Sequence, residues 1–485
     1  MRNRLLNNTS TGLLFLSLVV FLSRVPFLGA GFGAEEDAWL LPLTAKNIAL
    51  SGHYEMSRAP GHPLQELLYS WMWNASPFFF NLISAIASVI ATVFFALSMK
   101  NIGLRNYLFA AFAFALTPVV FISSTYTIDY MLAMAFAMGS FYFLTLPPLL
   151  SLQKPARVFP PLWGGLGWGG VLLGIAIGFR ITSGLMLIPF CLMFFSFSKE
   201  GIKKAVLLIC ITSCIGLVSF LPVLRTYGLS FFTYNDQFPY PNLPKVFFKL
   251  TIGVFGFIGF LTICFAKIKI VINRIRTKKG MLPSEFPKNF FYAAGIGIVL
   301  YLISYLRLPQ KSAYLIPMIP FVILLAGFYL SERSFRIFCV LMTMSSFLMS
   351  MNLTDPLRGS SHSKFAATFR MADQEIFIDP FTGPLFADYS KRLNKMAYTE
   401  TVFEKTSKEQ RKIILICGWW YNELQVRNWS RDENKNVKLV FYIDKETMKK
   451  YAEDGYALYY LPEQNFYNDR FSKTDATDSL SKPYF

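Results

Sequence analysis

The sequence predicts an α-helical protein that crosses a membrane about eleven times and ends in a small α/β domain. Hydrophobic residues make up 54% of the 485 positions and charged residues only 16%, which is too apolar for a soluble fold of this length. The apolar residues form blocks, most of which can cross about 30 Å of hydrocarbon. Nine long blocks and two shorter ones lie at roughly 10–23, 76–98, 106–124, 130–150, 204–224, 248–271, 289–306, 313–331 and 335–352, with the short pair in 163–197.

The basic residues indicate how these spans are oriented. The formal charge of +18 lies mostly in short loops between spans, a distribution that follows the positive-inside rule and argues against nucleic-acid binding. If the N-terminus is cytoplasmic, every even-numbered turn is basic. Those turns contain Lys100 and Arg105, Lys154 and Arg157, Lys199, Lys203 and Lys204, the run Lys267 to Lys288, and Arg333 and Arg336.

The alternation divides the chain into a transmembrane domain, residues 1–352, and an extracytoplasmic domain, residues 353–485. The first span is interpreted as retained, because the sequence after it, Arg24-Val-Pro-Phe, lacks the small residues of a signal-peptide cleavage site. The tail contains strand-like runs at 412–418, 437–443 and 457–461 and a helical run at 446–453, which predict a small α/β domain.

The cysteines indicate no disulfide framework and no zinc site. Five of the six lie inside predicted spans, and only Cys417 is in the polar tail. Together with the low histidine count, this fits a bacterial cytoplasmic membrane, with an endoplasmic reticulum membrane left open.

The long first loop, residues 31–75, begins with three acids, Glu35, Glu36 and Asp37, at the start of a helical stretch. Carboxylates favour helix N-termini, so capping is one interpretation. Capping needs only one acid, however, and three acids at a membrane surface repel one another. A compensating cation, a metal ion or a raised pKa is therefore expected.

Farther along this loop, Arg58 and His62 precede a helix with one apolar stripe, Leu64, Leu67, Leu68 and Trp71, that is expected to lie on the membrane surface. An arginine at that depth could bind a phosphate group or a lipid headgroup. Three further cations, Arg180, Arg307 and Lys311, lie at external helix ends, where snorkelling is the alternative.

Asp129 stands at the start of the fourth predicted span, where an acid is costly unless it caps the helix, is paired or is functional. These acids and cations together would surround one mouth of a helical bundle and suit a phosphate-bearing lipid.

The motifs resemble those of the type C glycosyltransferases, near the protein O-mannosyltransferases and the lipid A aminoarabinose transferases. In the first loop they are Asp37-Ala-Trp, Gly52-His-Tyr, Ser57-Arg-Ala-Pro-Gly-His-Pro and Leu67-Leu-Tyr. Downstream landmarks are Thr127-Ile-Asp129, Gly178-Phe-Arg180 and Ala313-Tyr-Leu-Ile-Pro, so that the resemblance covers about residues 10–332.

The resemblance implies an inverting transfer of a sugar from a polyprenyl-phosphate donor to a glycan, lipid or protein acceptor at the extracytoplasmic face. The base would be Asp37, or Glu36 if the register slips, because relatives often have Asp-Glu where this chain has Glu-Glu-Asp. Asp129 would support the base or, with Asp37, hold a divalent ion. The candidate phosphate ligands are Arg58, His62, Arg180, Arg307 and Lys311.

The main alternative is a transporter or flippase of lipid-linked glycans, and a glycan polymerase or ligase is a third possibility. A transporter is expected to have charges and broken helices at the bilayer midplane, whereas here the charges fall at span ends and in outer loops. The sequence therefore favours the enzyme.

The predicted orientation can be tested with reporter fusions and cysteine labelling. A periplasmic reporter fused after Phe485 is expected to be active, and a cysteine replacing Lys278 is expected to be protected from external reagents, because the charge alternation requires an odd number of spans. Cytoplasmic activity of the fusion, or external labelling at position 278, would contradict this topology.

Overall fold

The computed structural model describes residues 2–146, 164–194, 198–230, 240–277, 288–353, 364–371, 374–429, 434–441, 443–461 and 481–484. Within these ranges, six helical segments are long and apolar enough to cross a membrane. They are Thr9–Phe27, Pro77–Asn101, Lys199–Tyr227, Ile252–Ile272, Lys288–Arg307 and Ser312–Tyr329. The basic loops predicted around 154–157 and 278–287 lie outside the described residues.

The other five predicted spans are also helical, but they are shorter or interrupted. The block at 106–124 forms two helices, Tyr107–Ala115 and Pro118–Ser123, because Pro118 cannot supply the N–H that a continuous helix needs. The remaining four form Tyr130–Leu144, Gly165–Phe179, Leu187–Phe194 after a 3₁₀ turn, and Glu332–Met344. The protein is therefore a helical membrane protein, and the number of eleven spans stays a prediction.

Glycines allow three of these helices to pack closely. Gly165–Phe179 lies between Tyr130–Leu144 and Lys199–Tyr227. A Cβ atom on Gly174 would lie only 2.5 Å from Ile215 Cβ and 3.0 Å from the Thr212 carbonyl oxygen. Small residues at such a crossing let two helix backbones approach, as membrane helices commonly require.

Two helices of the first loop, Glu36–Ser51 and Pro63–Ser70, cover one end of this bundle. The loop is attached to the bundle through Asn81, whose amide donates to the carbonyls of Leu28 and Gly31, both at 2.8 Å. Asn81 Oδ1 also accepts from the Thr127 hydroxyl at 2.8 Å. The first loop and the turn before Asp129 are thereby held together.

The chain after the bundle forms two sheets. Strands β1 Ser350–Asn352, β2 Ala367–Met371 and β3 Gln374–Asp379 form an antiparallel sheet in the order β1-β3-β2. Strands β4 Ile413–Ile416, β5 Val437–Val440, β6 Ala457–Tyr460 and β7 Lys482–Pro483 form a parallel sheet in the order β5-β4-β6-β7. The domain boundary after residue 352 stays a prediction. Strand β1 of the first sheet lies before this boundary, and strands β2 and β3 lie after it.

Three helices accompany the parallel sheet: Pro384–Ser407, Tyr421–Asn428 and Lys445–Glu453. We call residues 384–429, 434–441, 443–461 and 481–484 the C-terminal α/β unit. Its core contains Ile413, Leu415 and Trp420, all buried. Helix Tyr421–Asn428 packs against the first-loop helix Glu36–Ser51, so that the unit sits over the same end of the bundle.

The close glycine contact predicts a difference between two helix-interior substitutions. Gly174→Ala is expected to lower the free energy of unfolding by about 1–3 kcal/mol, because the new methyl group would force the packed helices apart. Gly295→Ala is the matched control: no atom lies within 4 Å of its Cβ position, so alanine there is expected to be neutral or to stabilise by up to about 1 kcal/mol. Thermal unfolding in detergent measures both, and equal stability of the two variants would contradict the packing argument.

Candidate active site

Asp129 is the centre of a charge cluster at this end of the bundle. It is fully buried, and its carboxylate accepts from Arg58 Nη2 and, at 2.6 Å, from Arg180 Nη1. His62 Nδ1 lies 3.5 Å from the same carboxylate. Asp129 occupies the N-cap position of Tyr130–Leu144, but its side chain caps no backbone N–H. Its oxygens serve ion pairs, so capping does not explain this acid.

Arg58 joins Asp129 to Asp37. Its Nε lies 3.5 Å from Asp37 Oδ2, while its Nη2 contacts Asp129. Lys311 contacts the same oxygen of Asp37 and lies 2.5 Å from Glu35 Oε2. Two of the three acids of the first loop, Glu35 and Asp37, therefore meet compensating cations, as the crowding of the acids predicts.

Local backbone geometry explains how Asp37 reaches the cluster. The first-loop helix starts at Glu36, just after a bend with Gly31 at φ 69°. The indole N–H of Trp39, one turn into the helix, donates a hydrogen bond to the Gly33 carbonyl at 2.9 Å. This closes the bend and leaves Asp37 in the first helical turn, facing Arg58.

Burial raises the pKa of both carboxyl groups, but the surrounding cations outweigh it. Arg180 and Arg58 hold the pKa of Asp129 well below its usual range. Lys311 and Arg58 lower the pKa of Asp37 to about 2. Both groups are ionised at neutral pH, and Asp37 is a weak base while the two cations remain against it.

His62 lies in the cluster as a neutral ring. Burial lowers its pKa to about 4, although Asp129 opposes the change, so the ring is neutral at pH 7. Nδ1 lies 2.9 Å from the carbonyl oxygen of Phe179, which requires the proton on that nitrogen. The neutral ring thus ties the first loop to the residue before Arg180, and its assignment as a phosphate ligand stays a prediction.

Arg180 and Arg307 lie in different environments. The Arg180 guanidinium stacks over the rings of Tyr130 and Tyr314, 4.3 Å and 5.1 Å from their centres, and is largely buried. Burial and pairing, not snorkelling, therefore describe Arg180. Arg307 is exposed at the end of its helix and makes no ion pair with any described residue, so the structure does not bring it into the cluster.

The structure separates the two candidate bases. Asp37 faces Arg58 and Lys311. Glu36, one residue earlier, points toward the C-terminal α/β unit, where Asn422 donates to its Oε1 at 2.7 Å. Adjacent residues on a helix lie about 100° apart, so only one of them can face the cluster. By geometry that residue is Asp37, and its role as base stays a prediction.

Glu66 is a structural part of the site that sequence reasoning missed. It is fully buried, and Oε1 accepts from the backbone N–H and the hydroxyl of Ser57, both at 2.7 Å. Oε2 accepts from the Tyr54 hydroxyl and, at 3.2 Å, from the backbone N–H of His62. One carboxylate thus holds both ends of the loop that carries Arg58. The signal available in the sequence was an acid in the first turn of a helix, four residues after His62.

Metal ligation does not fit the residues present. Among the described residues, no group of three histidine, cysteine, aspartate or glutamate side chains converges. Asp37 and Asp129 are instead separated by the Arg58 guanidinium, which occupies the space where a shared cation would bind. No step is therefore assigned to a metal ion.

Comparison with known proteins identifies the fold. No protein-family model and no curated protein sequence matches the chain. Among solved structures, the crystal structure of ArnT from Cupriavidus metallidurans bound to undecaprenyl phosphate aligns over 82% of this chain and 73% of that one. The alignment has a TM-score of 0.51 and 15% sequence identity. The chain has the GT-C fold.

The apo crystal structure of the same protein aligns over 67% of this chain and 61% of that one, with a TM-score of 0.45 and 17% identity. The alignment with the undecaprenyl phosphate-bound structure confirms, at the level of fold, the resemblance drawn from the first-loop motifs. In this GT-C fold, the clustered charges come from the first loop and from the ends of helices that are far apart in sequence.

The contacts of Glu66 predict that Glu66→Gln will loosen the Arg58 loop. An amide has one acceptor oxygen, so it cannot accept from Ser57 on one side and from Tyr54 and His62 on the other. We expect a loss of about 1–3 kcal/mol in the free energy of unfolding and faster hydrogen exchange in residues 57–62. Glu55→Gln is the matched control, since Glu55 accepts from Asn47 at an exposed site of the same loop. Unchanged exchange in Glu66→Gln would disprove the role.

Proposed function

We propose that this protein is a membrane glycosyltransferase that transfers a sugar from a polyprenyl-phosphate donor to an acceptor hydroxyl. The observation that carries the proposal is Asp37 held between Arg58 and Lys311 at one end of a GT-C fold. A carboxylate can serve as base for the acceptor, and the adjacent cations suit the phosphate of the donor.

The cations have capacity for a phosphate group. Arg58 Nη1 is shielded from solvent and has no hydrogen-bond partner among the described residues. An arginine fork binds phosphate as well as carboxylate, and Lys311 can exchange partners in the same way. The related fold of ArnT, crystallised with undecaprenyl phosphate, supports a polyprenyl-phosphate donor for this chain.

Donor binding would also activate the base. Lys311 and Arg58 hold the pKa of Asp37 at about 2. When a donor phosphate takes over part of their charge, the carboxylate loses stabilisation and its pKa rises toward the ordinary value. The basicity of Asp37 is thereby coupled to donor binding.

The chemical step is a single displacement with inversion at the anomeric carbon. Asp37 accepts the proton of the acceptor hydroxyl as its oxygen forms a bond to that carbon. The bond from the carbon to the phosphate oxygen breaks, and its electron pair leaves with the polyprenyl phosphate. Arg58, Lys311 and Arg180 stabilise the departing charge.

The setting follows from the charge alternation of the loops. We propose that the cluster faces the outside of a bacterial cytoplasmic membrane, where the lipid-linked donor can approach from the bilayer and the acceptor from water. The acceptor is a glycan, a lipid or a protein that carries a hydroxyl group.

A transporter or flippase of lipid-linked glycans remains the rival, and it would use the same charges without bond cleavage. The two differ in what Asp37 does. An enzyme needs its proton-accepting oxygen, whereas a transporter needs only a polar group that pairs with the cations.

The experiment is sugar transfer by the purified full chain in liposomes, from a panel of undecaprenyl-phosphate pentoses, aminopentoses and hexoses. Asp37→Asn is expected to lower kcat at least about 100-fold, because the base is lost while the shape is kept. Glu36→Gln is expected to have a smaller effect, since Glu36 faces Asn422. Arg58→Ala is expected mainly to raise the donor KM.

Glu332→Gln and Arg105→Ala are matched controls, because these two residues form an exposed ion pair elsewhere on the protein. Thermal stability is measured for every variant. Undiminished transfer by Asp37→Asn would remove the proposed base. Movement of lipid-linked glycan across the liposome with no transfer by the wild type would favour the transporter.

A further inference from the structure

Residues 31–35, which lead into the first-loop helix, have no regular secondary structure. Their backbone is instead fixed by hydrogen bonds from residues outside the segment. Each of four consecutive carbonyls accepts a hydrogen bond from a different donor. The Asn81 side-chain amide donates to the Gly31 carbonyl at 2.8 Å, and the Thr127 backbone N–H donates to the Phe32 carbonyl at 2.8 Å. The Trp39 indole N–H donates to the Gly33 carbonyl at 2.9 Å. The first three donors belong to the bundle and the first loop.

The fourth donor comes from the C-terminal α/β unit. Lys395, on helix Pro384–Ser407, donates from Nζ to the Ala34 carbonyl at 3.0 Å. Ala34 lies three residues before Asp37, so this contact is the nearest of the four to the proposed base. The next contact from the same unit is the bond of Asn422 to Glu36, at 2.7 Å.

Lys395 is placed in an unusual environment for a lysine. Its side chain is 1% exposed, lies 3.4 Å from the buried Glu423 carboxylate, and its ammonium is 5.4 Å from the centre of the Trp420 ring. A buried ion pair is often no more stable than apolar side chains of the same volume, so burial of Lys395 and Glu423 is not explained by stability. The ion pair with Glu423 does hold the Lys395 ammonium in place as a donor to the Ala34 carbonyl of the first loop.

Asn422 keeps Glu36 away from the cations. Lys311 already binds Glu35 and Asp37. Loss of the Asn422 bond would let the first turn of the helix rotate and bring Glu36 toward this lysine, where a third acid would weaken the contact of Asp37.

Further contacts anchor the C-terminal α/β unit close to residues 31–35. Arg392 donates to the Phe27 carbonyl at 3.1 Å and to the Thr125 carbonyl at 3.2 Å. Tyr126 donates to Asp388 of the same helix. The helix is therefore fixed both to the start of the first loop and to the turn before Asp129.

We propose that the C-terminal α/β unit is part of the active site, and that Lys395 and Asn422 are positioning residues that set the orientation of Asp37. The proposal rests on the proposed transferase function and deepens it. Neither residue touches the reacting atoms, so both act through the backbone and side chains of residues 34–37.

The test uses the full chain in liposomes and two variants. The double variant Lys395→Met, Glu423→Gln removes the donor without leaving an unpaired buried charge, and Asn422→Leu removes the bond to Glu36. Each is expected to lower kcat at least tenfold with the donor KM within twofold, because Arg58 and its loop are untouched. Binding of undecaprenyl phosphate alone is expected to be unchanged, in contrast to Arg58→Ala.

A second readout does not depend on activity. Hydrogen exchange of the backbone amides in residues 32–38 is expected to accelerate at least tenfold in both variants, while residues 63–70 are unchanged. Lys405→Met is the matched control: Lys405 lies on the same helix but binds the Tyr484 carbonyl within the C-terminal unit. It is expected to retain wild-type kcat within twofold.

The outcomes are distinguishable. If kcat and exchange stay within twofold of wild type in both variants, or if Lys405→Met loses as much activity, the positioning role is wrong. Failure of both variants to fold would also overturn it, since a positioning contact can be removed without loss of the fold. If the wild type transfers no sugar from any donor, the proposed function fails, while the exchange measurement still decides whether Lys395 and Asn422 hold the segment.

Discussion

The Arg58 guanidinium between Asp37 and Asp129 is the interaction on which the rest of the site depends. Asp37 belongs to the first loop and Asp129 to the bundle, and Arg58 contacts both. Removing the arginine would leave the fully buried Asp129 with Arg180 as its remaining ion-pair partner and would remove the ionic link between Asp37 of the first loop and the bundle. A buried carboxylate that loses a cation is strongly destabilised, so the loop and bundle must fold together.

The same ion pairs lower the basicity of Asp37. Charges in a shielded environment interact more strongly than in water, so Arg58 and Lys311 suppress the basicity of Asp37. A phosphate group is the kind of ligand that can relieve this suppression, because it competes with carboxylates for the same N–H groups. Under the proposed function, binding of the donor and activation of the base would be one event.

Supporting residues around this cluster come from every part of the chain. Glu66 closes the loop that carries Arg58, His62 ties that loop to Phe179, and Asn81 and Lys395 bind carbonyls of the acid-bearing segment. Each supporting group is buried and hydrogen-bonded, which fixes its rotamer and therefore the position of the group it supports. The C-terminal α/β unit contributes to this arrangement as directly as the helical bundle does.

The sequence by itself determined the membrane character and the helical class, because blocks of apolar residues can satisfy their backbone only as helices in lipid. It also singled out Asp37, Arg58, Asp129, Arg180 and Lys311, since charged groups at membrane helix ends are costly unless they are paired or used. Only the tertiary structure decided which groups meet. It placed Asp37 and not Glu36 against the cations, left Arg307 outside the cluster, and revealed Glu66 and Lys395. Those outcomes depend on contacts between residues up to several hundred positions apart, and no local pattern encodes such distances.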